Sequence, residues 1–158
     1  MGETTAAIAQ AHPENDYLAV EVHGPGVGSL LNRIEALGLR NLRVIRHDAV
    51  EVLGTMIADG ALAGIHLFFP DPWPKKRHHK RRLVQAPFAA LAARKLARGG
   101  YLHAATDWPE YAEQIDAVFK SSSLFAAEEP KDRPETKFER RGIGLGHPVR
   151  DLLFLRKK

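Results

Sequence analysis

Asp71 is the residue most clearly set up for chemistry. It stands in Phe68-Phe69-Pro70-Asp71-Pro72-Trp73-Pro74, followed directly by Lys75, Lys76, Arg77, His78, His79, Lys80, Arg81 and Arg82. Proline fixes φ and has no N–H to donate, so this loop can join neither a helix nor a strand ladder. A carboxylate and an indole ring are thereby held out at the end of the apolar run Gly64-Ile65-His66-Leu67-Phe68-Phe69. In open α/β sheets, ligands bind at the carboxyl ends of strands. A planar group stacked and hydrogen-bonded beside a polyanion fits this pattern, which describes a nucleobase within a nucleic acid. The alternatives are structural: a rigid surface turn with Trp73 packed on the body, and a solvated charged loop over residues 75–82. Clustered cations repel one another, however, and phosphates would compensate them, with binding that weakens steeply as salt rises. His78 and His79 lack a partner at metal-ligand spacing, so no metal site is expected there.

Other acids end other predicted strands. Glu21 follows Tyr17-Leu18-Ala19-Val20, Asp48 follows Leu42-Arg43-Val44-Ile45-Arg46, and Asp107 follows Tyr101-Leu102-His103-Ala104-Ala105. With Asp71 they would line one edge of a sheet. Glu21 could accept hydrogen bonds from a ribose diol, and Asp48 could face a base or its amine. The competing reading makes Asp48 the N-cap of Ala49-Val50-Glu51, and Asp107 the cap of the helix after it. Gly24-Pro25-Gly26-Val27-Gly28 invites comparison with a dinucleotide fingerprint, but Ser29 replaces its third glycine and Pro25 removes a donor. A tight turn into a helix from Ser29 is the expected form. Thr136-Lys137-Phe138-Glu139, taken alone, reads as an ordinary polar loop.

The elements that must position these residues follow from periodicity. A helix is expected over residues 6–11, a strand over 17–22, a helix over 29–37 closed by Gly38, and a strand over 42–46. A short helix to about Ile57, a strand over 64–69, a helix over 83–96, a strand over 101–105, a helix over 111–119 and a last strand over 151–155 complete the series. Alternating strands and helices predict βαβ units, a mostly parallel sheet and one α/β domain over residues 1–158. The 158 residues, 44% hydrophobic and 27% charged, suit a soluble globular domain. The net charge is +4 and the pI about 9.5, with six of 23 Lys and Arg residues inside residues 75–82; this concentration favours a phosphate-bearing partner. Cysteine is absent, which excludes disulfides and thiolate metal sites. No long apolar run or leader pattern is seen, so a cytoplasmic protein without membrane contact is expected.

Together these residues resemble the bacterial tRNA (guanine-N7-)-methyltransferases. The motifs are Glu21-Val22-His23 with residues 24–31, residues 41–45 through 48–53, Phe68 through Gln85, Ala105-Thr106-Asp107-Trp108, and Thr136-Lys137-Phe138-Glu139. The resemblance implies a Rossmann-like class I methyltransferase sheet, mostly parallel with an antiparallel C-terminal strand. It implies S-adenosyl-L-methionine as methyl donor, no metal, and the variable-loop guanosine of tRNA as target. Gly2, Glu21, Asp48 and Asp71 would surround the donor, with Asp71 also catalytic. Lys75, Asp107, Thr136, Lys137, Phe138 and Glu139 would bind the guanosine, and Arg77, His78, His79, Lys80, Arg81 and Arg82 the tRNA.

Two departures stand against the family pattern. Met1-Gly2 matches only the end of the glycine-rich donor loop, so the first, central strand of a 3-2-1-4-5-7-6 sheet is expected to be missing. Pro148 and Arg150 replace a usual glycine and tryptophan. An N-terminally shortened, catalytically impaired tRNA-binding fragment is therefore one alternative, and a dinucleotide-dependent oxidoreductase resting on residues 24–28 is another.

Overall fold

The computed structural model describes residues 2–136, 139, 140, 144, 146 and 148–158. Its elements run α1 (Glu3–Ala11), β1 (Tyr17–Val20), α2 (Gly24–Leu37), β2 (Leu42–Ile45), α3 (Ala49–Glu51), a π-turn (Val52–Met56) and β3 (Leu62–Phe68). A 3-10 turn (Lys76–Arg81), α4 (Ala86–Lys95), β4 (Leu96–Thr106), α5 (Pro109–Ser121), β5 (Phe125–Glu128) and β6 (Arg150–Arg156) follow. The chain divides into two compact units, residues 1–52 with 132–141, and residues 53–131 with 142–158.

The first unit holds a parallel pair, β1 on β2, with Tyr17 opposite Leu42 and Val20 opposite Ile45. Its core is small: Ala6, Ala9, Leu30 and Leu42 are buried, with Tyr17, Ile34 and Val44 against them. The amide of Asn41 donates to the carbonyls of Ala9 and Asn15, each at 2.9 Å, and so ties the end of α1 to the start of β2.

The second unit holds a four-stranded sheet in the order β3-β4-β6-β5. β3 lies parallel to β4 with His66 opposite His103, and β6 runs antiparallel to both β4 and β5. One face carries α4 and α5 through Phe88, Ala92, Leu102, Ala104, Tyr111, Ile115, Phe119 and Phe154. Phe119 stacks on Phe154 at 4.7 Å and meets Phe125 edge-on at 4.9 Å. Phe119 and Phe154 are at most 1% exposed, so each contributes on the order of 2 kcal/mol by burial. On the other face, Gly64 admits the Tyr101 ring; a Cβ there would lie 2.4 Å from it. The Tyr101 hydroxyl pairs with His66 Nε2 at 3.0 Å, and His103 Nε2 with Asp151 Oδ1 at 2.8 Å.

Most expected elements are present, in two separate sheets, β1-β2 and β3-β4-β6-β5. Among the described residues, β1 pairs only with β2 and β3 only with β4. Three differences have local causes. Residues 24–28 form the first turns of α2 rather than a turn before it, because Pro25 is favourable at a helix start and its missing N–H is not needed there. The helix expected from Leu83 begins at Ala86, since residues 82–84 are held extended by α5 (below). β5 was not anticipated: four residues, two of them alanine, give too short a pattern to show period two.

Candidate active site

Each acid singled out above ends a strand, but they differ in what occupies them. In the first unit, Glu21 Oε1 accepts from His23 N at 2.9 Å, and Asp48 Oδ1 accepts from Glu51 N at 3.0 Å. Asp48 is thus an N-cap, as the structural reading expected, and among the described residues its second oxygen has no partner. Because β1 and β2 are parallel, both acids lie at the same edge. Gly2 sits at the N-cap of α1 in the left-handed region (φ 75°), and a Cβ there would meet Leu30 at 2.9 Å. Only glycine fits that position without displacement.

The segment around Thr136 folds beside the start of α1 within the same unit. Thr4 Oγ1 donates to Glu135 O at 3.3 Å, and Arg140 Nη2 to Glu3 Oε2 at 2.7 Å. Thr136 Oγ1 accepts from Glu139 N at 2.9 Å while Glu139 Oε2 accepts from Thr136 N at 3.1 Å. This reciprocal pair is a capping box, and Arg133 grips Glu139 bidentately at 2.7 and 3.2 Å. Thr136 and Glu139, read from sequence as part of a polar loop, are thus both engaged in local hydrogen bonds. Lys137 and Phe138 lie outside the described residues.

In the second unit, β3 and β4 are parallel, so Asp71 and Asp107 share an edge. Asp71 is exposed, and Asp107 is half-buried. Among the described residues, no hydrogen bond or ion pair reaches either carboxylate. The alternative that Asp107 caps α5 does not hold: the N-cap is Trp108, which makes no side-chain cap bond. Phe69 and Trp73 have φ of 53° and 44°, and each precedes a proline. Left-handed backbone at bulky residues before proline costs about 1–3 kcal/mol per site and persists only when the surroundings impose it.

Those surroundings come from β4 and from the basic segment itself. Phe69 N donates to Ala105 O at 2.8 Å, Arg82 Nε donates to Pro72 O at 2.7 Å, and His79 Nε2 lies 3.4 Å from Pro74 O. The amide of Gln85 donates to Lys80 O at 3.0 Å and Arg82 O at 3.2 Å, closing the 3-10 turn. Trp73 is flanked by His78, edge-on at 5.9 Å, and by the Arg81 guanidinium, 5.0 Å above its ring. His79 and Arg82 also face Glu110, at 3.3 and 3.8 Å.

The eight consecutive cationic or potentially cationic residues thus separate by role. Lys75, Lys76, Arg77, Lys80 and Arg81 are exposed, whereas Arg82 is 3% exposed. The expectation that Arg82 holds RNA rests on charge alone, and a charge pattern does not show burial. Tyr111 and Gln114, which hold residues 82–84, also escaped notice, their only sequence signal being helical spacing. Burial raises the Tyr111 hydroxyl above the ordinary phenol range, against the lowering pull of its Val84 hydrogen bond and of Arg82. It therefore stays protonated near neutrality.

A family described as "Putative methyltransferase" matches residues 1–152. The tRNA (guanine-N(7)-)-methyltransferase of Nitrosospira multiformis is 57% identical, covering 100% of this chain and 72% of its own length. This chain belongs to that methyltransferase family. The enzyme of the same name from Methylobacillus flagellatus is 58% identical over 99% of the chain and 68% of its own length. An rRNA methylase from Streptococcus thermophilus, 16% identical, superposes with a TM-score of 0.64 over 99% of this chain and 81% of that one, which shows the class I methyltransferase fold. The oxidoreductase reading gains nothing from the structure, since the glycines it rests on are helical turns of α2.

Proposed function

We propose that the protein transfers a methyl group from S-adenosyl-L-methionine to N7 of a guanosine in tRNA. The observation that carries the reading is Asp71: a carboxylate past the carboxyl end of β3 that no hydrogen bond or ion pair reaches among the described residues, between the left-handed Phe69 and Trp73 and beside exposed cations. The names of the relatives at 57–58% identity supply the substrate. A tRNA-modifying enzyme would work in the cytoplasm.

The first unit suits a nucleoside-bearing donor. Glu21 and Asp48 each keep one carboxylate oxygen for ligand hydroxyl or amine donors, and Gly2 would lie beside the donor at the start of α1. S-adenosyl-L-methionine, when bound, supplies a methyl group on a sulfonium. Guanine N7 has a lone pair and no proton, so no base is needed to deprotonate it. What the protein must provide is orientation and negative charge near a ring that becomes cationic. Asp71 provides both, by accepting hydrogen bonds from an amine or the guanine edge and by its charge. Lys75 and Asp107 would position the guanosine. Arg77, His78, Lys80 and Arg81 would hold phosphates.

The test is methyl transfer to unmodified tRNA, with the modified base identified by mass spectrometry. N7-methylguanosine at one tRNA position is expected. tRNA binding without any transfer would favour the impaired-fragment reading instead.

A further inference from the structure

Arg82 lies in the most basic stretch of the chain, yet it cannot serve a phosphate. Its side chain is 1% exposed. Nε donates to Pro72 O at 2.7 Å and Nη1 to Gln114 Oε1 at 2.7 Å, while the guanidinium carbon stacks 4.9 Å over the Tyr111 ring. Nη2 is buried without a hydrogen-bond partner, its nearest acid being Glu110 Oε1 at 3.8 Å. A polyanion would have to displace the indoor partners of a planar fork before reaching it.

The groups Arg82 joins are the two turns that present the free carboxylates. Pro72 follows Asp71 directly. Gln114 and Tyr111 belong to α5, which starts two residues after Asp107. Gln114 and Tyr111 also hold the segment next to Arg82: Val84 N donates to the Tyr111 hydroxyl at 3.1 Å, and Gln114 Nε2 donates to Val84 O at 2.9 Å. The Asp71 loop contains three prolines and so has few donors of its own to hold Phe69 and Trp73 in left-handed backbone.

We propose that Arg82 is a positioning residue: it ties the Asp71 turn to α5 through the Pro72 carbonyl and fixes Asp71 relative to Asp107. It contributes nothing to the tRNA phosphate grip. The inference rests on the methyltransferase reading above for its kinetic consequence, but its geometric content stands apart from that reading.

The decisive variant is Arg82→Lys, which keeps the charge and loses the fork. The single-turnover methylation rate at saturating tRNA and donor should fall about 100-fold, as misplacement of a catalytic group by an ångström does. The slope of log affinity for tRNA against log salt should stay at the wild-type value, whereas Lys80→Ala should reduce it by about one. In a Trp108→Phe background, Trp73 emission should shift on Arg82→Lys, reporting a released loop. A wild-type rate, or a slope reduced as in Lys80→Ala, overturns the proposal. Should Arg82→Lys fail to fold, Gln114→Ala carries the same expectation at an uncharged position, and a wild-type rate there overturns it equally. If the wild-type protein methylates no tRNA, the functional reading fails, and the Trp73 signal alone decides the geometry: an unshifted spectrum in both variants refutes it.

Discussion

The two sheet edges handle their carboxylates in opposite ways. At the edge formed by β1 and β2, Glu21 and Asp48 each bond a backbone N–H two or three residues ahead. At the edge formed by β3 and β4, the carboxylates of Asp71 and Asp107 are left open, and the rigidity is supplied by other groups: Arg82, Gln85, Tyr111 and Gln114. An acid that caps its own turn can accept from a neutral ligand with its remaining oxygen, at little cost in organisation. An acid meant to stabilise a charge that appears during reaction is better left unpaired on a scaffold that cannot relax toward water. Under the proposed function, the difference would give binding to the first edge and chemistry to the second.

The sharpest way to break this assignment is to remove charge at the second edge without changing shape. Asp71→Asn should lower the single-turnover methylation rate by about 10²–10³-fold, the range seen when one preorganised electrostatic group is lost. Affinity for tRNA should stay near wild type, as measured by filter binding at several salt concentrations. A parallel loss of affinity would move Asp71 from chemistry to binding and erase the contrast between the edges.

The scaffold behind Asp71 can be probed separately. Tyr111 is fully buried, and its hydroxyl takes the N–H of Val84. Tyr111→Phe leaves that donor unsatisfied, so thermal or urea unfolding should show a loss of about 1–3 kcal/mol. An unchanged stability would mean that α5 does not lock residues 82–84.

How much of this could be read from the sequence depends on the range of the interactions concerned. The alternation of strands and helices, the strand-end acids and the proline-bounded Asp71 are local patterns, and the structure keeps them all. Gly38 as a left-handed C-cap is local too. The division of labour within residues 75–82 was not legible, because it is decided by Glu110, Tyr111 and Gln114, some thirty residues away along the chain. The capping box at Thr136 and Glu139 has the spacing of a helix start, yet no apolar run follows to announce it. β5 is visible only through its partner β6, and its alanines carry no pattern of their own.

The exposed cations offer a smaller, graded test. Arg77 and Lys80 project from the 3-10 turn, and no ion pair reaches either among the described residues. Replacing either with Ala should weaken tRNA binding several-fold at low salt and reduce the salt slope by about one each. The methylation rate at saturating tRNA should not change. A rate effect at saturation would place these side chains at the reacting guanosine rather than on phosphates.

The mildest prediction separates the two uses of Asp48. Its Oδ1 caps α3 through Glu51 N, and asparagine caps nearly as well as aspartate. Asp48→Asn should therefore keep the unfolding free energy within about 0.5 kcal/mol of wild type. If the second oxygen accepts from the donor, the substitution removes a charged acceptor worth about 1.5 kcal/mol, or about tenfold in affinity. Calorimetry with a donor analogue reads this directly. Loss of donor affinity at unchanged stability makes Asp48 both cap and ligand, as the first edge requires. Unchanged affinity leaves Asp48 a cap alone, and Glu21 then carries the donor interactions of that edge.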